Sequence, residues 1–461
     1  MSPRLTPLPY WADATPLFER LRRLTWPIWL DSGHPRAQGG RWDILAADPQ
    51  WRVQVVGRTL EFSGPDGTKQ NPQPADALDL IATLLARLDP SPVAGLPFTG
   101  GALGYFGYDW GRQLEGLAVP RQDDILLPDL AIGIYGWAVV TDHAEGRSWL
   151  VEQPGHAAPR ALLSPDRPVT PAAYGPSFQV LSAVGPDMPR ELYARGFARI
   201  QHYLREGDCY QVNFTQRFSA RHKGDPWDAY CRLRARNPAP FSAYLQLAEG
   251  AILCSSPERF LRLTERRVET RPIKGTRRRV HDEVADAAVL AELASSDKDR
   301  AENVMIVDLL RNDLGKTCEI GSVRVPQLFA TESYARVHHL VSTVTGRLRA
   351  DLGPLDLLRG AFPGGSITGA PKRRAMQIID ELEPHRRSVY CGSIGYLSAH
   401  GDMDLNIAIR TLVCSAGRAY CWAGGGIVLD SMLEAEYQES FDKASAMLDV
   451  FHDSEAPGVG G

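Results

Sequence analysis

Two clusters of carboxylates could do chemistry. Glu302 lies in Asp299-Arg-Ala-Glu302-Asn-Val-Met-Ile-Val, where helical spacing puts positions 302 and 306 on one face. Its carboxylate therefore lies beside the apolar stripe rather than opposite it. In Glu434-Ala-Glu436-Tyr-Gln-Glu439-Ser-Phe-Asp442-Lys443, Glu436, Glu439 and Lys443 follow one another at i, i+3 and i+7 along one helix face. A Glu from each of two helices, Glu302 and Glu439, suits a hard divalent ion such as Mg²⁺, which takes oxygen ligands and usually shares them with substrate. The same residues also read as solvated helix carboxylates, with Glu439 and Lys443 forming an i,i+4 pair.

A nucleophile and an acid precede them in the chain. Lys274, in Arg271-Pro-Ile-Lys274-Gly275-Thr276, follows an alternating strand pattern and stands at or near a strand end. Gly275 removes a side chain beside it and lets a ligand approach the backbone. A lysine there acts as a nucleophile if desolvation lowers its pKa; otherwise it is one more solvated lysine. Glu258, in Ser256-Pro257-Glu258-Arg259, follows the apolar Ala251–Cys254. Burial would keep it protonated as a general acid, and the alternative is a salt bridge to Arg259 or a neighbour.

Two glycine-rich turns are expected, Pro363–Lys372 and Ala423–Gly426. The first precedes a helix over 372–382, whose amides could hold an anion. Neither has the spacing of a phosphate-binding P-loop. His338-His339 are adjacent on a strand, so they cannot both face one metal.

These residues need elements to hold them. Residues 1–153 look strand-rich, with short runs at Trp26–Leu30, Trp42–Ala46 and Ile132–Val140. Residues 154–189 are proline-rich and mark a linker, and 190–452 carry every candidate catalytic residue. Helices are expected over 190–206, 283–314 and 434–452, and strands over 210–214 and 243–247. The first part of 283–314 should bury Ala287, Leu290 and Leu293, and the second Val304, Ile306, Val307 and Leu310. Residues 453–461 are a short, glycine-rich tail. Strands mixed with helices, without a regular βαβ alternation, favour an α+β fold.

Composition narrows the function. A net charge of −4 over 461 residues gives no reason to expect nucleic acid as a partner. No apolar run approaches the ~18 residues of a spanning helix, and the first residues do not read as a secretory signal. The seven cysteines form no CxxC pair, which fits reduced thiols in a cytoplasmic protein.

Taken in order, these motifs resemble one family. They are Ser-Pro-Glu258, Pro-Ile-Lys274-Gly-Thr, Asp-Arg-Ala-Glu302-Asn, Val-His-His339-Leu-Val-Ser, Gly-Gly-Ser366-Ile-Thr-Gly-Ala-Pro-Lys, Tyr390-Cys-Gly-Ser-Ile-Gly-Tyr, Ile-Ala-Ile-Arg410-Thr, Ala-Gly-Gly-Gly-Ile and Glu-Tyr-Gln-Glu439-Ser-Phe-Asp-Lys443. The resemblance is to the chorismate-utilising enzymes, and it runs from about residue 20 to about residue 450. Lys274 stands where the anthranilate-forming members typically carry Ala. Gln211 stands where isochorismate- and salicylate-forming members place a water-activating lysine. Both positions point to the branch that makes 4-amino-4-deoxychorismate.

The resemblance implies two antiparallel sheets packed as a sandwich, with helices outside. It implies Mg²⁺ on Glu302 and Glu439, Lys274 as nucleophile and Glu258 as acid. Chorismate would be held by Gly275, His339, Ser366, Tyr390, Arg410, Gly424, Gly425, Gly426 and Lys443. Ser32, Arg41, Trp42, Pro240, Phe241 and Ser242 match the family's tryptophan pocket, although the segment between Ser32 and Arg41 is shorter here. Ser440 replaces the usual Thr after the metal-binding Glu. No glutaminase motif accompanies the chain, so ammonia would come from solution or from a separate glutaminase subunit. Two other readings of the same fold are an anthranilate synthase large subunit and a non-catalytic tryptophan-sensing subunit.

Overall fold

Strands with one apolar face pair into two large antiparallel sheets. The computed structural model describes residues 2–64, 69–70, 76–117, 124–164, 176–280, 282–334 and 337–452. The expected tail at 453–461 and the middle of the expected linker, 165–175, lie outside the described residues.

The first sheet runs from Arg4–Leu8 at one edge, through Trp42–Ala46 and Ile28–Asp31, to Phe241–Leu247, Gly250–Ser256, Thr411–Ser415, Arg418–Ile427 and Gln211–Lys223. The second runs from Ile273–Arg278 through Val337–Arg347, Arg267–Arg271, Arg259–Thr264, Met403–Asn406 and Ser393–Ser398. It continues to Gly101–Phe106, Leu130–Tyr135 and Trp51–Val56. Each sheet therefore draws strands from both halves of the chain.

The sheets face each other across one apolar core. Ile44, Ile252 and Val413 of the first meet Val53, Leu103, Ile132 and Leu261 of the second. Full burial of each such side chain contributes about 1.5–3 kcal/mol. The first sheet's other face is covered by helices around Phe18, Trp29, Trp227, Tyr230, Tyr244 and Met447.

The chain crosses between sheets at short, identifiable places. The apolar run 132–140 is not one strand. It breaks at Gly136, with Leu130–Tyr135 in the second sheet and Trp137–Asp142 in the first. A Cβ at Gly136 would sit 2.3 Å from the His156 ring, so the crossing is tight. The chain also passes from the first sheet to the second at Pro257-Glu258, and back again through Ile407–Arg410.

Three sequence expectations change. The helical stretch 283–314 is two helices, Glu283–Ser295 and Asp297–Gly315, hinged at Ser296, whose hydroxyl caps the second by accepting from the Asp299 amide. Of the apolar face expected in its first part only Leu293 is fully buried, and in its second part Val304 is exposed while Ile306, Val307 and Leu310 are buried. Gly424–Gly426 are not a turn; they lie inside the strand Arg418–Ile427. Elsewhere the helices Arg190–Arg205, Lys372–Leu382 and Leu433–His452 fall where their periodicity places them.

Candidate active site

The two crossings Pro257-Glu258 and Ile407–Arg410 are tied together. The Ile407 amide donates to the Glu258 carbonyl at 3.0 Å, and the Ser255 amide donates to the Arg410 carbonyl at 3.1 Å. This brings a carboxyl and a guanidinium to one point between the sheets. Glu258 is 5% exposed. Its Oε1 accepts from the Ser366 hydroxyl at 2.8 Å. Burial pushes its pKa up, against the opposing pull of Ser366, Lys274 and Arg410. A raised pKa favours the protonated form, the one a general acid needs.

Arg410 has a left-handed backbone, φ 53°, a conformation a non-glycine residue adopts only when its surroundings impose it. Burial lowers its pKa, while Tyr390, Glu258 and Glu439 support its charge. Among the described residues its guanidinium has no hydrogen-bond or ion-pair partner. A half-buried guanidinium not spent on a protein partner suits bidentate capture of a carboxylate.

Lys274 owes its aim to a bulge. The strand Ile273–Arg278 pairs with Val337–Arg347, but the register shifts between Lys274↔Leu340 and Thr276↔His339, with Gly275 as the extra residue. Gly275 has φ 77°, the left-handed conformation such a bulge requires. A Cβ there would come within 2.9 Å of Leu293 and 3.0 Å of the Asp299 carboxyl. The Lys274 side chain as a whole is half-buried. Burial of its amine lowers the pKa; Glu302, Glu258 and Glu439 pull it up, and the Lys443 charge pushes it further down. The amine therefore lies within electrostatic reach of both acidic helices and of Glu258.

The acidic helices meet the glycine strand. A Cβ on Gly425 would lie 2.9 Å from Glu436 Oε2 and 3.3 Å from Glu439 Oε1, so the absence of a side chain there lets both carboxylates approach the strand. Lys443 pairs with Glu439 and donates to the Gly424 carbonyl at 3.0 Å. Glu302 and Glu436 are raised in pKa, chiefly by burial. For Glu439 burial also pushes upward, but Lys443, Lys274 and Lys298 together turn the net shift down. Among the described residues no three His, Cys, Asp or Glu side chains close around one point. An all-oxygen set from opposed helices, short of a full cage, fits Mg²⁺, which keeps several ligand positions for water and substrate.

His339 is buried, with Nδ1 2.9 Å from the Thr276 hydroxyl. Burial, helped by the Arg410 charge, lowers its pKa to about 3, so the ring is neutral. Its neighbour His338 instead meets Asp286 and Ser333. Tyr390 is buried and stacks on Trp422, ring centroids 5.9 Å apart at 8°. Ser366 sits on a short turn, Gly365–Ile367, whose Ile367 carbonyl accepts from Asn213 at 3.0 Å and from Arg387 at 2.8 Å. At the start of Lys372–Leu382 the Lys372 ammonium donates to the Ala361 carbonyl and pairs with Asp313.

Two residues that the sequence singles out without giving them a place in the site lie in it. Glu436 was visible by its i, i+3 spacing to Glu439, yet only the fold shows it buried against Gly425. Gln211 is fully buried, and among the described residues neither of its amide atoms has a hydrogen-bond partner. A Cβ on Gly426 would lie 2.0 Å from its Nε2. An unpaired buried amide is costly, so this one is available to a polar ligand.

A cavity of about 890 Å³ opens elsewhere, lined by Arg41, Trp42, Pro240, Phe241 and Ser242. None of the groups around Lys274 lines it. Ser32 is absent from its wall; its amide and hydroxyl both donate to Asp43 Oδ1, at 2.9 and 2.6 Å. Arg41 is held by Asp142 and lies over the Trp42 ring at 4.7 Å.

Residues 37–449 match the family model described as chorismate binding enzyme. The chain is 50% identical over 451 residues to aminodeoxychorismate synthase component 1 of Klebsiella aerogenes, covering 97% of this chain and 99% of that protein. It is 48% identical over 453 residues to the protein of the same name from Escherichia coli K12, covering 97% and 98%. Anthranilate synthase component I of Streptococcus pneumoniae, a solved structure, superposes with a TM-score of 0.77 at 33% identity, over 88% of this chain and 92% of that one.

Proposed function

The chain belongs to the chorismate binding enzymes, and on that premise we propose how its site adds ammonia to C4 of chorismate. The protein has the activity of an aminodeoxychorismate synthase component 1, making 4-amino-4-deoxychorismate for 4-aminobenzoate and folate biosynthesis. The observation that carries the mechanism is the Lys274 amine, on a strand bulged at Gly275, within electrostatic reach of a carboxyl whose pKa burial pushes up.

Chorismate is a dianionic cyclohexadiene with a hydroxyl at C4. Arg410 and Tyr390, with the amides of Gly424–Gly426, orient the enolpyruvyl carboxylate, and Lys443 stands beside them. Glu302 and Glu439 would hold Mg²⁺, which would supply positive charge to the ring carboxylate. The neutral Lys274 amine adds to C2 while the C4–O bond breaks, and Glu258 gives its proton so that water leaves. Ammonia then forms a bond to C4 as the C2–N bond to Lys274 breaks. Lys274 departs as the free amine, and the new ammonium returns a proton to Glu258. Gln211 presents a neutral amide where a lysine would activate water, which favours ammonia over water as the incoming nucleophile.

A component so named works with a partner component. A separate glutaminase subunit supplies the ammonia in this reading. Tryptophan occupies the cavity at Arg41, Trp42, Pro240, Phe241 and Ser242; a rise in melting temperature on adding tryptophan, lost in Phe241→Ala, tests this. Seven free cysteines support a cytoplasmic setting. Among the described residues no helix is long and apolar enough to cross a membrane.

The deciding experiment incubates the protein with chorismate, Mg²⁺ and an ammonium salt and identifies the product by mass. The expected product is 4-amino-4-deoxychorismate. Fluorescent anthranilate, formed without any lyase, would replace this reading with the anthranilate synthase one.

A further inference from the structure

The lysine strand is bolted to the helix that carries Glu302 by one side chain. Arg277 lies three residues after Lys274 on Ile273–Arg278. Its Nε and Nη2 donate to the two oxygens of Glu292 at 3.0 and 2.9 Å, and Nη2 also donates to Asp299 Oδ2 at 2.8 Å. Glu292 is in the last turn of Glu283–Ser295, and Asp299 is in the first turn of Asp297–Gly315. One guanidinium therefore grips both sides of the Ser296 corner. Glu302 follows Asp299 by three residues, on the same side of the helix.

Other contacts lie to either side of the corner: Asp286 meets Arg279 and His338 in the first helix, and Asn303 Oδ1 accepts from the Ser342 hydroxyl at 2.6 Å in the second. In the first helix only Leu293 and Asp286 are buried. Leu293 and the Asp299 carboxyl rest directly against Gly275, at the distances a Cβ there would violate. A helix with one buried apolar residue draws its position from such polar contacts and from that single knob. Arg277 is 30% exposed and its partner Glu292 is 59% exposed, so the clamp closes over the bulge from the outer side and leaves the reacting groups uncovered.

We propose that Arg277 is a positioning residue: by clamping Glu292 and Asp299 to the lysine strand, it sets the placement of the Glu302 carboxylate opposite Lys274. Partners that orient ligating carboxylates typically change metal affinity by about 10–100-fold when removed. The inference rests on Glu302 binding Mg²⁺ and deepens that reading.

The test measures Mg²⁺-dependent chorismate binding by calorimetry on the full chain without ammonia, alongside turnover. Arg277→Ala should raise the Mg²⁺ concentration needed for half-maximal chorismate binding by ~10-fold or more, with kcat at saturating Mg²⁺ much less affected. Arg277→Lys should recover part of the loss, because a point charge reaches one carboxylate but not both. Arg279→Ala is the control. Arg279 pairs with Asp286 of the first helix only, so it should leave the Mg²⁺ titration in place. An unchanged titration in Arg277→Ala, or an equal shift in Arg279→Ala, overturns the inference. Glu302→Gln run in parallel separates the two levels. If it abolishes the Mg²⁺ dependence while Arg277→Ala does nothing, only the clamp fails; if it too does nothing, the metal reading fails and the clamp with it.

Discussion

Ser366 and Glu258 are joined by one hydrogen bond, hydroxyl to Oε1 at 2.8 Å, across 108 residues of chain. It links the sheet crossing to the turn Gly365–Ile367, and it opposes the effect of burial on the carboxyl. The bond favours the ionised form, so its loss should push the Glu258 pKa higher still. In Ser366→Ala the limb of the pH–rate profile that belongs to Glu258 should move to higher pH. A hydrogen bond to a charged group contributes about 1.5–3 kcal/mol, so kcat/KM should also fall by roughly tenfold or more. Rates plotted against free ammonia, so that ammonia's own titration drops out, check both effects; an unmoved limb would show that Ser366 does not act through Glu258.

The charge state of Lys274 gives a second prediction. Its folded pKa is depressed, so the amine is free at lower pH than an ordinary lysine, and the step that needs it strengthens as pH rises through that depressed value. Lys443 is one cause of the depression and also neutralises Glu439. Lys443→Gln removes a repelling charge and frees an attracting one, so both effects raise the Lys274 pKa. The limb belonging to Lys274 should then shift to higher pH. Lys274→Ala should lose most turnover and the covalent adduct, which intact-protein mass spectrometry detects after quenching. Glu258→Gln should cost ~10²–10⁴-fold in kcat. Adduct-sized mass on Lys274→Ala would place the nucleophile elsewhere.

Much of this site was legible before folding. Lys274-Gly275, Ser-Pro-Glu258 and the Glu436/Glu439/Lys443 spacing each state a local requirement: a bulge, a crossing, one helix face. Local pattern is what a sequence carries well. It did not carry the break at Ser296, because Glu283–Ser295 is mostly exposed and shows no clean apolar stripe. Nor did it distinguish Gly424–Gly426 in a strand from a turn, since glycine fits both and the deciding fact is the approach of Glu436, Glu439 and the Phe214 carbonyl. The unpaired state of Gln211 depends on what other strands and helices fail to offer it, which no local signal encodes.

Those glycines yield a contrast between stability and function. A Cβ on Gly424 would meet the Phe214 carbonyl oxygen at 2.0 Å, backbone that cannot yield without breaking the pairing of Gln211–Lys223 with Arg418–Ile427. Gly424→Ala should destabilise the fold by about 1–3 kcal/mol or more. On Gly425 the nearest atoms are the ends of two glutamate side chains, which can turn aside. Gly425→Ala should keep its melting temperature within a few degrees of the parent and weaken Mg²⁺-dependent chorismate binding. Thermal melts paired with calorimetry decide; equal destabilisation by both would mean that Glu436 and Glu439 are held rigidly.

The same carboxylates set the pH dependence of metal binding. Burial raises the pKa of Glu302 and Glu436, whereas Lys443, Lys274 and Lys298 together keep Glu439 below its ordinary value. Mg²⁺ competes with protons for Glu302, so its affinity should weaken as pH falls while still above the ordinary Glu range near ~4.3. The folded-state sign agrees. An acid with a raised folded pKa opposes folding above its unfolded pKa, where it must be held ionised and buried, and a bound cation relieves that cost. Mg²⁺ should therefore raise the melting temperature more near neutral pH than in mildly acidic buffer, by the linkage between binding and unfolding. In Glu302→Gln the gain and its pH dependence should both shrink. Melts with and without Mg²⁺ at two pH values provide the measurement, and an Mg²⁺ gain that is the same at both would remove Glu302 as the group that titrates against the metal.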